Sequence, residues 1–401
     1  MVKLNIVGSG IAGSTMAYLS KEKFQVSVYD RNSYTGGLIH CRISNNGLFH
    51  VTGGHVFNTK IERVSKFFWS IFNVDDFNLL IRRADIRSKF FNGDYPIENH
   101  LKGLREDFHS KVLTELLLPD KSARTSDFGS YLKEKFGSTL YEIYFKPYNE
   151  KIWQTDLRSV SLDWLDGKLP MPSREDILHA NIFNSVDSMV HSKFYYPKKG
   201  GSQKYINKLL MGVPVILDNE YTYEDDFTNT IHVYTGNVKN ISKVFRTVNF
   251  PSDLLLQLDK LRSHGTTTVF VKFKEGCNDL DFTWRYFPDI QQKHHRIINT
   301  GFFTEENGIR TATLEFTGLV EKEDAYKYCN ELNLEFLDYN YAQHTYPIQD
   351  ESTKETIRQL KNHLKSYNIF LLGRFAEWEY MNMDIVMNSA LDIWNELEQN
   401  Y

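Results

Sequence analysis

Lys3-Leu4-Asn5-Ile6-Val7-Gly8-Ser9-Gly10-Ile11-Ala12-Gly13 is the stretch whose reading decides the fold. Lys3 to Val7 reads as a short strand with apolar side chains, and an apolar, helix-compatible run begins within the glycine pattern that follows. A second strand, Gln25 to Tyr29, ends at Asp30, an acid 17 residues past Gly13. Strand, glycine turn, helix, strand and acid in this order predict a dinucleotide-binding βαβ unit. Gly8 permits the tight turn, Gly10 lets the backbone approach a pyrophosphate, Gly13 lets the helix pack on the strand, and Asp30 can accept hydrogen bonds from a ribose. The plain alternative is a glycine-rich βα turn with no ligand.

Arg31-Asn32-Ser33-Tyr34-Thr35-Gly36-Gly37 follows Asp30 directly. A second glycine pair with a basic residue lets another backbone segment approach the cofactor, and FAD-binding flavoproteins commonly carry such a segment. The pattern favours FAD over NAD, with Arg31 and Gly37 as contacts, unless the glycine pair is only a turn.

Length and composition bound the rest. A chain of 401 residues should form two or three compact units. A net charge of -4 predicts no nucleic-acid footprint. Cys41, Cys277 and Cys329 lie too far apart for a CxxC metal pattern or a disulfide framework, which suggests a reducing cytosol. No apolar stretch reaches membrane-spanning length, and the N-terminus reads as a nucleotide-binding strand rather than a signal peptide. Most of the 28 Phe, 23 Tyr and 6 Trp must be core, leaving a few to line a site for a flat or sugar-like ligand.

The expected fold is α/β: a Rossmann-like FAD-binding domain with a helical insertion and an antiparallel-sheet domain. Residues 1–82, read as βαβ units, join 200–240 and 350–401 in the FAD-binding domain. Residues 100–192, rich in Leu, Lys, Glu and aromatics at helical spacing, form a helical substrate domain. Residues 83–99, 193–199 and 241–349 form the antiparallel-sheet domain, on the alternation of Thr268–Phe273 and Thr311–Phe316. Ile369 to Leu372 is a buried-strand run, and a helix follows from about Met383.

Chemistry candidates lie outside the fingerprint. Gly53-Gly54-His55 puts a histidine after two glycines, where backbone could lie against a ring system; a lone histidine is more often structural. Tyr148 and Trp153 could stack on a base or sit in a helix core. Arg296 could clamp a phosphate or be a solvated charge. His294 and His295 are adjacent, and neighbours on a strand face opposite ways, so no metal site is expected. No Ser-His-Asp arrangement, Walker loop or zinc spacing is present.

From end to end the chain resembles the UDP-galactopyranose mutase family. The matching segments are Gly8 to Gly13, Gly53-Gly54-His55-Val56-Phe57, Tyr95-Pro96-Ile97-Glu98-Asn99, Pro147 to Trp153, Val233-Tyr234-Thr235-Gly236, Tyr346-Pro347-Ile348 and, most specific, Gly373-Arg374 through Tyr380-Met381-Asn382-Met383-Asp384. The resemblance implies a flavoenzyme isomerase acting on a nucleotide-diphosphate sugar, with galactofuranose for cell-surface polysaccharide as the family's product. It interconverts pyranose and furanose forms through a reduced-flavin N5–sugar adduct, without net redox change. NAD(P)H or another reductant would supply the electrons. It also implies roles: Tyr148 and Trp153 on the uracil; Arg296, Tyr346 and Tyr380 at the diphosphate; His55 over the flavin face; Gly54, Arg374 and Met383 at the cofactor; Asn382 at the substrate. A cytoplasmic protein, with a homodimer as a candidate assembly, completes the expectation.

Three departures stand out. The family carries a second arginine on a loop, two residues after a Leu-Pro pair; after Leu169-Pro170 that position is Pro172 here. Arg174 fills the role if the loop is rebuilt, Lys168, Lys198 and Lys199 are weaker substitutes, or the role is lost. The family's acid after the C-terminal tyrosine is Asn382 here, and Gly200 to Lys204 lacks the usual Gly-Tyr-Thr pattern. These changes suit a divergent mutase acting on another nucleotide sugar, or a relative that has lost mutase chemistry. The alternatives are an FAD-dependent oxidoreductase of the amine-oxidase or protoporphyrinogen-oxidase type and a flavoprotein with a binding role.

Overall fold

The structure is a computed structural model describing residues 1–118, 127–160, 162, 172–183, 192–304, 306, 308 and 310–401. Lys3–Val7 is a strand whose Leu4 and Ile6 are fully buried while their neighbours are not, as a period of two requires. Among the described residues it is the centre of a five-stranded parallel sheet. The order is Ile369–Leu371, Thr230–Tyr234, Lys3–Val7, Gln25–Tyr29 and Val215–Ile216. Helix Ile11–Ser20 packs on this sheet with Ala12, Met16 and Ala17 buried, and helix Met383–Asn400 packs on Ile11–Ser20 in turn.

The second sheet has seven strands among the described residues, in the order Leu334–Ile348, Arg262–Phe273, Thr311–Thr317, Arg296–Ile298, Trp284–Tyr286, Ala84–Arg87 and Asn92–Asp94. It is antiparallel except where Ala84–Arg87 runs parallel to Trp284–Tyr286. Helices Glu106–Leu117, Phe128–Phe136, Lys146–Trp153 and Arg174–Phe183 form the helical piece. Its core includes Val112, Phe128, Leu132, Phe136 and Leu140, and is continuous with Ile86, Trp284 and Tyr286 of the sheet. The molecule is therefore α/β, a parallel sheet joined to an antiparallel one.

One expectation needs correction. Only the first βαβ unit falls within residues 1–82. Cys41–Ser44 and Gly47–His50 instead form an antiparallel hairpin. Asn45 and Asn46, at φ 47° and 59°, make the two-residue turn whose twist suits a hairpin. Phe77–Ile81 pairs antiparallel with Lys193–Pro197, apart from both large sheets.

Candidate active site

The carboxyl ends of the parallel strands, where ligands of such sheets gather, open into a cavity of about 1130 Å³. At one end lies the glycine turn. A Cβ at Gly8 would come 2.2 Å from Thr235 Oγ1, and one at Gly13 would come 1.9 Å from the Gly8 carbonyl, so both must stay bare. Gly10 caps helix Ile11–Ser20 with no side-chain cap and no acid in the first turn, leaving its N–H end suited to an anion. Gly36 N donates to the Ser9 carbonyl at 3.0 Å, which brings the second glycine pair against the first. Asp30, Arg31 and Gly37 line the same end.

Asp30 is more occupied than its sequence position suggests. Its Oδ2 accepts from Ser9 N at 2.8 Å and Ser9 Oγ at 2.6 Å; its Oδ1 accepts from Asn32 N and Nδ2, each at 3.0 Å. A carboxylate offers about four lone-pair sites. A ribose hydroxyl would therefore take the place of a present donor, with the Asn32 side chain the one free to leave. These features fit a dinucleotide whose pyrophosphate lies on the helix end.

In the middle of the cavity Gly53, Gly54 and His55 lie against the antiparallel sheet. Gly53 sits at φ 100°, and a Cβ there would meet Glu315 Oε1 at 2.2 Å; one on Gly54 would meet the Phe303 ring at 2.7 Å. His55 Nε2 is 3.1 Å from Thr52 Oγ1. Burial, then the charge of Arg374, brings the His55 pKa down to about 4, so its imidazole is neutral at pH 7.

Arg296 stands directly opposite Glu315 on neighbouring strands, and its Nε donates to Glu315 Oε2. Its Nη2 lies 3.4 Å from the Tyr346 hydroxyl. Glu315 is fully buried, yet its Oε1 has no hydrogen-bond partner. Burial alone would raise its pKa; the charge and hydrogen bonds of Arg296 and His295 together outweigh this and hold the carboxyl at about 2. Tyr346 stacks on Tyr380 at 5.5 Å and 6°. Arg374 lies over Tyr380 at 4.7 Å and donates to the Thr345 carbonyl at 2.9 Å and the Met381 carbonyl at 2.7 Å. Asn382 and Met383, at the start of the last helix, also line the cavity.

Three candidates lie outside the cavity lining: Tyr148 and Trp153, for which the sequence left helix core open, and Arg174. Tyr148 and Trp153 do not form the cavity wall. Tyr148 stacks on Tyr144 at 5.7 Å and meets Tyr286 edge-on at 5.8 Å. Trp153 is buried, edge-on to Tyr346 at 6.4 Å, and borders a separate cavity of about 500 Å³. A π-helical turn at Tyr141–Phe145 feeds the helix that carries them. It adds a residue to the turn, rotating everything after it about the axis. Arg174 is the third: its guanidinium donates to the Leu116 carbonyl at 3.3 Å and to that of Glu134, both in the last turns of helices, where carbonyls lack partners. Pro172 is not among the cavity residues; Lys168 and Leu169-Pro170 lie outside the described residues.

Sequence reasoning missed Glu315, Arg82 and Asp384, all of which line the cavity. A lone acid within Thr-Ala-Thr-Leu-Glu-Phe-Thr was a usable signal for Glu315; nothing local marks Arg82. His294 and His295 turn apart, to Tyr328 OH at 3.0 Å and Glu315 at 3.5 Å. Among the described residues no three His, Cys, Asp or Glu side chains gather as a metal site, and no helix is long and apolar enough to cross a membrane.

Residues 6–70 match the NAD(P)-binding Rossmann-like domain. The dTDP-fucopyranose mutase of Escherichia coli is 23% identical over 413 aligned residues, covering 98% of this chain and 97% of that one. The UDP-galactopyranose mutase of Mycoplasma genitalium is 22% identical over 94% of this chain and 90% of its own. A crystal structure of reduced UDP-galactopyranose mutase superposes with a TM-score of 0.86, at 18% identity, over 100% of this chain and 94% of that one. The chain is similar to these mutases over nearly its whole length. A structure described as a protoporphyrinogen oxidase from an Exiguobacterium superposes less well, with a TM-score of 0.73, at 13% identity, over 98% of this chain and 99% of that one.

Proposed function

We propose that this chain is a flavin-dependent isomerase that interconverts the pyranose and furanose forms of a nucleotide-diphosphate sugar. One observation carries the reading: a single cavity runs from the dinucleotide turn at Gly8 to a group of arginines and tyrosines around Arg296. Such a space suits a dinucleotide beside a second anionic ligand. FAD would lie along Gly8, Gly10, Asp30, Arg31 and Gly37, with Gly54, His55, Arg374 and Met383 toward its ring system. Bound and reduced, it would supply a nucleophilic ring nitrogen at the anomeric carbon of the sugar.

The protein's own part is positioning and charge. Arg296, held by Glu315 through Nε, keeps its terminal nitrogens for the phosphate on which charge grows as the anomeric bond breaks. Tyr346 and Tyr380 offer hydroxyl groups at the same place, and Asn382 stands where a sugar or phosphate oxygen could reach it. Neutral His55 adds no positive charge to compete for the leaving group. In this reading the parallel-sheet segments 1–82, 200–240 and 350–401 carry the cofactor, and residues 100–192 close over the substrate. NAD(P)H as reductant, cytoplasmic work toward a cell-surface polysaccharide and a homodimer belong to the same proposal.

The test is turnover of UDP-galactopyranose and dTDP-fucopyranose by purified, flavin-loaded protein with and without dithionite. Activity only when reduced, with no stoichiometric consumption of reductant, supports the reading. Equal turnover by oxidised protein, or reductant consumed one for one with product, supports the oxidoreductase alternative. The charged lining speaks only against an oxidoreductase with a wholly apolar substrate, which would meet Arg82, Arg296 and Glu315.

A further inference from the structure

Arg296 comes to the cavity with its charge already matched by Glu315. A diphosphate binding there would meet an almost neutral pair. Arg82 differs. It lines the same cavity, just before strand Ala84–Arg87, and among the described residues no carboxylate lies within ion-pair distance of it. Its guanidinium lies over the Trp284 ring at 4.8 Å and the Tyr95 ring at 5.8 Å, and one Nη donates to the Tyr286 hydroxyl at 2.7 Å. Its Nε is buried without a partner. Tyr286 is also the cross-strand neighbour of Arg296, so one phenol sits between the two arginines.

From this geometry we infer that Arg82 is the second cation of the anion site, binding the phosphate nearest the sugar. An unmatched guanidinium with a buried unsatisfied N–H gains a partner when an anion binds beside it. The aromatic faces fix its plane and prevent retreat to solvent. The inference rests on the proposed nucleotide-sugar reading.

The test is titration of the flavin-loaded protein with UMP, UDP and dTDP, followed by calorimetry, for wild type, Arg82→Gln and Arg82→Lys. Loss of a charge-assisted contact predicts that Arg82→Gln weakens UDP or dTDP by roughly 10- to 100-fold while changing UMP by less than about threefold, with Arg82→Lys between. Diphosphate affinity within twofold of wild type in Arg82→Gln overturns the inference and leaves the proposed function standing. Equal weakening of UMP and UDP also overturns it, since the contact would then not be with the outer phosphate. A wild-type protein that binds none of the three nucleotides overturns the proposed function itself. The flavin absorbance of each variant checks that the cavity has folded.

Discussion

Replacing Arg296 with alanine removes more than a substrate contact, because it strands Glu315. In the native protein Arg296, with His295 beside it, depresses the Glu315 pKa from 4.5 to about 2 against the effect of burial. That depression contributes about 3 kcal/mol of stability at neutral pH. The contribution is complete above pH 4.5, the ordinary value, and is lost as pH falls from there through about 2. Without Arg296, burial is left as the dominant influence on a carboxyl with no exposed surface, and its pKa moves above the ordinary value instead. The sign then reverses. The unfolded chain ionises freely near 4.5 while the folded one resists, so Arg296→Ala should lose stability as pH rises from about 4.5 toward neutrality. At pH 7 the cost of an uncompensated buried carboxylate is on the order of 3–5 kcal/mol. Thermal unfolding of wild type, Arg296→Ala and Arg296→Ala/Glu315→Gln between pH 4.5 and 8 measures this directly. The single variant should be least stable at the alkaline end, and the double variant should recover much of the loss there. Turnover should stay low in both, since losing a charged contact to the leaving group costs roughly 30- to several-thousand-fold in kcat/KM. A destabilisation of Arg296→Ala that does not change with pH, or a double variant no more stable than the single one, would refute the reasoning.

Purified protein should be yellow, and acid precipitation should release its flavin into the supernatant; a colourless protein that cannot be reconstituted with FAD contradicts the cofactor assignment. Gly13→Ala, whose Cβ would lie 1.9 Å from the Gly8 carbonyl, should abolish flavin content, as read from the absorbance ratio of the purified variant. His55, with its pKa held at about 4, should leave no inflection near pH 6.5 in the kcat/KM profile; one that vanishes in His55→Gln would show that the ring titrates there after all. Tyr346→Phe removes a long 3.4 Å contact with Arg296 and one neutral hydroxyl offered to the phosphate, and should cost less than Arg296→Lys, on the order of tenfold or below in kcat/KM.

The fold was legible wherever side-chain periodicity was strong. Lys3–Val7, Thr311–Thr317 and Ile369–Leu371 announce themselves by apolar runs or alternation, and Gly8 to Gly13 sets the turn between strand and helix. The hairpin at Asn45-Asn46 was misread because a short strand pair inside a βαβ-like stretch has no periodicity of its own, only turn chemistry. Site residues were legible as identities more than as directions. Arg296 and Glu315 come together because strand register pairs them. Whether Tyr148 and Trp153 face a ligand or the helix core depends on a helix phase that the turn at Tyr141–Phe145 shifts. Arg174 was drawn to two helix ends that no linear reading brings near it. Arg82 sits among Arg82-Arg83 and Arg87 in sequence, and only the fold separates the one lacking a carboxylate from those paired with Asp281 and Asp85.

The tight fit between Gly53 and the Glu315 carboxylate ties together two stretches of chain that are remote in sequence. Any residue with a side chain at position 53 would push on the acid that orients Arg296, so its effect would surface as altered phosphate binding rather than as a local defect. Among relatives, positions 53, 296 and 315 should therefore change as a group: a larger residue at 53 would call for a shorter one at 315, and the loss of the acid would leave the arginine to find another anchor. Departures from that joint pattern would mark lineages in which this cavity has taken up different work.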